Sequence, residues 1–140
     1  MNRSRRRNGF TLVELLLVMV ILAVLAAIVI PKFSGRGEDA KIQGAKTQIA
    51  QFGTALDLYE TDNGTYPTTA QGLYALREKP TAAPEPRSWK GPYLKGEVPD
   101  DPWGTPFVYR SPGTINRDGY DLVSAGPDQK EGTEDDIFNP

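Results

Sequence analysis

The chain contains no cysteine and no histidine among its 140 residues. A small domain beyond a membrane often ties its loops with disulfides, so any pinning here must come from something else. Without histidine, no Ser-His-Asp or Cys-His catalytic arrangement can be assembled, and no imidazole is available to zinc. No glycine-rich phosphate-binding loop is present, so the chain cannot supply energy from a nucleotide. Basic residues are also missing between Arg7 and Lys32, and over that interval Glu14 is the one acid. The net charge is −2, but Arg3, Arg5, Arg6 and Arg7 at the front leave the remainder at −6. A surface of that sign argues against a nucleic-acid partner.

Apart from Glu14, the interval is an apolar run. From Phe10 to Ile30 it spans about 21 residues, which as a helix rising about 1.5 Å per residue gives roughly 30 Å, the thickness of a bilayer's hydrocarbon core. The arginines before it and the excess of acids after it place residues 1–9 in the cytoplasm and the rest beyond the membrane. An ordinary signal peptide has a shorter apolar core and a small-x-small cleavage site, whereas Ala23, Ala26 and Ala27 never fall two apart. A plain single-pass anchor leaves Glu14 unexplained.

A carboxylate on a spanning helix costs a few kcal/mol, so Glu14 should face a partner rather than lipid. Cleavage between Gly9 and Phe10 would create an α-amine one helical turn away, mostly protonated at neutral pH. That amine could meet Glu14 of its own chain, at the positive end of the helix dipole, or Glu14 of a neighbour staggered by one turn.

A short basic leader, then Gly9-Phe10-Thr11-Leu12-Val13-Glu14, then an apolar run, resembles the leader of type IV pilins and type II secretion pseudopilins. The resemblance implies that a prepilin peptidase cleaves after Gly9 and methylates Phe10, and that Glu14 guides subunits into a helical filament. The implied division is a leader at 1–9, a transmembrane and assembly helix at 10–30, and a periplasmic domain at 31–140.

Beyond the run, about 100 residues remain, enough for one small domain. Pro31 is expected to interrupt the helix, followed closely by Gly35 and Gly37. From Glu38 the helical signal returns: Ile42, Ala45, Ile49, Phe52, Leu56 and Tyr59 form an apolar stripe, with Lys41, Gln43, Lys46, Gln48 and Glu60 opposite. The stripe is expected to pack on a globular domain, and Asp62-Asn63-Gly64 to end the helix. A short helical turn at Gln71–Leu76 should dock Leu73 and Leu76 on the long helix. Between Pro80 and Pro106 lie seven prolines and no periodicity, which reads as an ordered loop anchored by Trp89, Tyr93 and Trp103. Pro106–Arg110 and Tyr120–Ser124 read as two strands of a hairpin. The class is therefore α+β: a long N-terminal helix, half membrane-spanning and half amphipathic, on a small antiparallel sheet.

Tyr66-Pro67-Thr68-Thr69, Gln71-Gly72-Leu73, Asp101-Pro102-Trp103-Gly104, Tyr120-Asp121-Leu122 and Ser124-Ala125-Gly126-Pro127-Asp128 are similar to the major pseudopilins of type II secretion, the protein G family. The likeness runs from Gly9 to Ile137. Type IVa pilins usually close their C-terminal region with a disulfide loop, which this chain cannot form.

Between Ser124 and Asp136 lie Asp128, Glu131, Glu134, Asp135 and Asp136, broken by Gly126, Pro127 and Gly132. Clustered carboxylates with glycines that let carbonyls turn inward could cage a hard cation, calcium better than magnesium. On spacing alone a solvated acidic loop explains the residues as well, and the EF-hand pattern fails. The resemblance implies calcium, held by Asp128, Asp135 and Asp136 through their carboxylates, by the Ser124 hydroxyl, and by carbonyls near Val123 and Glu131. Gln129 stands where the family commonly has glycine. The ion would take the place of the missing disulfide.

The reading that follows is a structural subunit, not an enzyme. It is anchored in a bacterial inner membrane with a periplasmic domain, and it polymerises with itself into a periplasmic pseudopilus that helps move folded proteins through an outer-membrane channel. Implied partners are minor pseudopilins, the prepilin peptidase, the inner-membrane secretion platform with its ATPase, and the lipid bilayer before assembly. One alternative is a type IV pilin of a surface fibre for adhesion, motility or DNA uptake. Another is a tethered hydrolase using Asp100 and Asp101.

Overall fold

The computed structural model describes residues 9–140, with side chains described for all of these except 28–36. The element order is a long helix α1 (Leu12–Asn63), a short 3-10 turn (Leu73–Leu76), and strands β1 (Val108–Arg110), β2 (Asp121–Ser124) and β3 (Ile137–Phe138). The chain divides into two compact units, Met1–Gly37 and Glu38–Pro140, each considered by itself.

In the first unit, the described side chains from Phe10 to Leu25 are almost all apolar and roughly half or more exposed, Phe10 at 83%. An exposed apolar surface of this extent marks an interaction face. Among the described residues no helix is long and apolar enough to cross a membrane; the described side chains of the run stop at Ala27, short of Ile30. Contrary to expectation, Pro31 does not end the helix, which is assigned continuously to Asn63. The physical reason is that proline's fixed φ is itself a helical value, and the residue forfeits a single backbone bond while its neighbours keep theirs.

The second unit is built on the apolar stripe of α1. Ala45, Ile49, Phe52, Leu56 and Tyr59 are all buried, as steps of three and four along a 3.6-residue turn require. Of these, Ile49, Phe52, Leu56 and Tyr59 pack in one core with Leu73, Ala75, Leu76, Phe107, Tyr109 and Leu122. Phe52 meets Phe107 edge-on with ring centroids 5.2 Å apart, a favoured aromatic geometry. The helix closes at Asn63, and Gly64 follows at φ 78°, the left-handed turn that glycine adopts without steric cost.

The proline-rich segment is ordered through its aromatic residues. The Trp89 indole donates to the Ala75 carbonyl at 3.0 Å, and the Tyr93 N–H to the Leu76 carbonyl at 2.7 Å, so the loop is sewn to the 3-10 turn. Trp103 behaves differently from Trp89 and Tyr93: its indole donates to Glu38 on α1 at 2.8 Å instead of joining the core.

The sheet has three strands in the order β1-β2-β3, all antiparallel. Tyr109 pairs with Leu122, and Ser124 with Ile137. The expected hairpin is β1 and β2; β3 was not foreseen, because two residues are too few to show alternation. Central β2 is buried at all four positions. It delivers Ser124 to the start of the acidic loop.

Candidate functional site

Two regions carry the candidate residues, one in each unit. In the first, Gly9 and Phe10 lie in exposed, non-helical backbone ahead of α1. Extended, exposed backbone is what a peptidase needs at its cleavage point. Glu14 sits in the first turn of α1, where its carboxylate accepts the Thr11 backbone N–H at 2.8 Å and the Thr11 hydroxyl at 3.0 Å. In return the Glu14 N–H donates to the Thr11 hydroxyl at 3.3 Å. This reciprocal pair is a capping box. The acid that seemed to need a cation already has two donors within its own chain, and the Thr-x-x-Glu signature before the apolar run could have announced it.

In the second unit the acidic loop joins β2 to β3. Val123 and Ser124 are buried at its root. The Ser124 hydroxyl donates to Asp101 at 2.7 Å and accepts the Gly126 N–H at 3.3 Å. Gly126 has φ 64°, and a Cβ there would run into the Asp135 carbonyl, so the position admits only glycine. Asp135 and the root of the loop are thus in close contact.

The carboxylates hold the loop's own backbone. Asp128 Oδ1 accepts the Lys130 N–H at 2.8 Å. Asp135 accepts the Thr133 hydroxyl at 2.6 Å and the Asp128 N–H at 3.1 Å, and these two donors lower its carboxyl below the usual range. Asp136 Oδ2 accepts the Gly132 N–H at 2.8 Å, while its Oδ1 is buried with no hydrogen-bond partner. Glu131 is exposed at its side chain and ion-paired with Arg110 of β1. Gln129, at φ 58°, takes a left-handed backbone angle uncommon outside glycine, and its amide donates to the Trp103 carbonyl at 3.3 Å.

Among the described residues no three acidic side chains draw together closely enough to hold a metal ion by themselves. A cation here would therefore depend on carbonyls and the Ser124 oxygen as well as carboxylates. The donors are all hard oxygens, and an orphaned buried carboxylate oxygen is the kind of group a cation satisfies, so the residues fit calcium in chemistry.

Sequence reasoning overlooked two buried acids. From the sequence Asp101 stands in the family-like Asp101-Pro102-Trp103-Gly104 motif and as half of a hydrolytic pair with Asp100, with no structural role assigned. Asp100 is exposed, whereas the Asp101 carboxylate accepts the Trp103 and Thr105 N–H groups and the Ser124 hydroxyl, so the two do not form a catalytic dyad. Asp121, read only as a strand residue, gathers four donors from Thr114, Ile115 and Asn116. The Asp101 turn to Trp103 and Thr105 is local and Asp-Pro-Trp-Gly could have suggested it, but its bond to Ser124 spans 23 residues and the Asp121 donors lie five to seven residues before it, which no short motif marks.

Residues 32–140 match the family model described as type II secretion system protein G, and residues 4–30 match the prokaryotic N-terminal methylation motif. The type II secretion system core protein G of Aeromonas hydrophila is 49% identical over 138 residues, covering 98% of this chain and 94% of the relative. Its counterpart in Pseudomonas aeruginosa is 48% identical over 134 residues, covering 95% and 92%. Among solved structures, the major pseudopilin from the type 2 secretion system of enterohaemorrhagic Escherichia coli matches with a TM-score of 0.68 at 40% identity, covering 75% of this chain and 87% of that one.

Proposed function

The chain belongs to the type II secretion system protein G family, and from that premise we propose that it is the major structural subunit of the secretion pseudopilus, a helical periplasmic fibre that helps drive folded proteins across the outer membrane. The observation that carries this is the joint occurrence, in one chain, of the methylation motif at 4–30 and the protein G domain at 32–140. Similarity to protein G along nearly the whole length favours this role over a surface pilin, which shares only the leader.

In this reading the precursor waits in the inner membrane with its C-terminal unit in the periplasm. The prepilin peptidase cuts the exposed Gly9–Phe10 bond and methylates Phe10. The exposed apolar face from Phe10 to Leu25 then meets lipid before assembly and copies of itself afterwards. Glu14 enters that apolar core already capped by Thr11, which lowers the penalty of carrying an acid there. The inner-membrane platform and its ATPase supply the energy, and minor pseudopilins are further partners. The chain itself is a building element and not an enzyme. The test is Glu14→Ala: membrane insertion should stay intact while fibre assembly is lost. Normal fibres and normal secretion from that variant would refute the role of Glu14.

For the acidic loop we propose calcium, held by Asp128, Asp135, Asp136 and Ser124 with carbonyls near Val123 and Glu131. The buried, unbonded Asp136 Oδ1 supports it. When bound, the ion would neutralise the loop's acids and tie the segment before β3 to the end of β2. An ion at a hundred times its dissociation constant would stabilise the fold by about 2.7 kcal/mol. Chelation should then lower the melting temperature by roughly 10 to 20 °C, at about 4–8 °C per kcal/mol. A melt indifferent to chelator would remove calcium from the account.

A further inference from the structure

Asp101 lies outside the loop, 23 residues before Ser124 in sequence, yet its carboxylate is 4% exposed and makes three bonds. Oδ1 accepts the N–H groups of Trp103 at 3.1 Å and Thr105 at 2.8 Å, and Oδ2 accepts the Ser124 hydroxyl at 2.7 Å. The backbone closes the same turn, with the Asp101 N–H on the Thr105 carbonyl at 2.9 Å. The carboxylate is therefore rigidly held where it meets Ser124.

A hydroxyl has one proton to give and two lone pairs to offer. The Ser124 proton goes to Asp101, and one lone pair takes the Gly126 N–H. That leaves one lone pair on an oxygen that is fully buried at the root of the acidic loop. Without Asp101, the hydroxyl could rotate its proton toward the loop and present a donor where a cation needs an acceptor.

The same turn reaches in two directions. Toward the loop, the Trp103 carbonyl accepts the Gln129 amide at 3.3 Å. Toward α1, the Trp103 indole donates to Glu38 at 2.8 Å and the Asp100 carbonyl accepts the Gln48 amide at 3.1 Å, while Pro102 stands 3.4 Å from where a Gly44 Cβ would be. The segment from Asp100 to Thr105 is a bracket between the acidic loop and the part of α1 from Glu38 to Gln48.

We propose that Asp101 is the positioning residue of the acidic loop. It takes the Ser124 proton so that the serine oxygen faces the cation, and its turn transmits the order of the loop to α1. The inference rests on the calcium reading above, since calcium is what the free lone pair would meet.

The experiment is a calorimetric calcium titration of the full chain in detergent, comparing wild type, Asp101→Asn, Ser124→Ala and the double variant, each also melted in chelator. Asp101→Asn is expected to weaken calcium binding roughly tenfold, as loss of an outer-shell partner typically does. Ser124→Ala should weaken it comparably, and the double variant should be no weaker than the worse single, because both changes remove the same contact. A merely structural role would lower the melting temperature in chelator and leave the calcium-induced rise unchanged, which overturns the proposal. So does an Asp101→Asn protein that binds like wild type, or losses that multiply in the double variant. A wild type that takes up no calcium at all instead defeats the underlying reading, and this inference falls with it. Should Asp101→Asn fail to fold, hydrogen exchange on the wild type decides: calcium should slow the Trp103 and Thr105 amides about tenfold or more, and unchanged exchange overturns the proposal.

Discussion

Replacing Asp121 with asparagine should destabilise the unit Glu38–Pro140. Asp121 is 2% exposed. Its Oδ2 accepts the Thr114 N–H at 2.6 Å, the Thr114 hydroxyl at 2.8 Å and the Ile115 N–H at 2.9 Å, and its Oδ1 accepts the Asn116 N–H at 2.9 Å. Burial alone would raise its carboxyl, but the N–H groups of Asn116 and Ile115, with the Thr114 hydroxyl and N–H, hold it at about 2 against an ordinary 3.8. At about 1.4 kcal/mol per tenfold change in proton affinity, the depressed value is worth about 2 kcal/mol at neutral pH. Because the folded value is the lower one, this stability is fully present above pH 3.8 and is lost as pH falls toward about 2. Asparagine keeps the shape but turns an NH2 toward donors, so part-buried hydrogen bonds to the Thr114–Asn116 backbone are lost. The total cost should be about 3 kcal/mol, or roughly 12 to 24 °C in melting temperature for a unit of this size. The assay is a series of thermal melts of wild type and Asp121→Asn from pH 7 to pH 2. The gap between the two should be largest at pH 7 and narrow between about pH 4 and pH 2. A gap under about 2 °C at pH 7, or one that stays constant through the acid range, would refute the reasoning.

Phe52→Ala should cost about 3–5 kcal/mol by opening a cavity against Phe107 and Leu122, and a denaturant midpoint measured against wild type checks it. The mass of the membrane-extracted protein should correspond to a chain beginning at Phe10 with one added methyl; an intact arginine-rich leader on a working protein would defeat the processing scheme.

Much of the architecture could be read directly. The stripe from Ile42 to Tyr59 announces its helix and its buried face because side-chain direction repeats every 3.6 residues whatever the rest of the chain does. Gly64 marks the helix end because few other residues take its backbone angle. Val108–Arg110 and Asp121–Ser124 were within reach for a similar reason, since β-branched and aromatic residues cluster between turn signals. Pro31 misled because its local preference is to break a helix, and here the helical assignment continues through it. Strand β3 was missed because Ile137–Phe138 becomes a strand only by pairing with Val123 and Ser124. The candidate loop was legible as a run of acids, but not the division of labour inside it. Asp128 and Asp135 bind loop backbone, whereas Asp136 keeps one oxygen unbonded.

The amino-acid order by itself determined the apolar run with its lone acid, the N-terminal methylation motif, the amphipathic helix and the concentration of carboxylates near the C-terminus. All of these depend on spacing along the chain. Only the tertiary structure decided that Asp101 would reach Ser124 across 23 residues and that Asp121 would gather a loop around itself. A buried carboxylate is tolerated only where several donors converge on it, and that convergence depends on how a loop closes on Asp121 and how Ser124 is brought to Asp101, which spacing along the chain does not record.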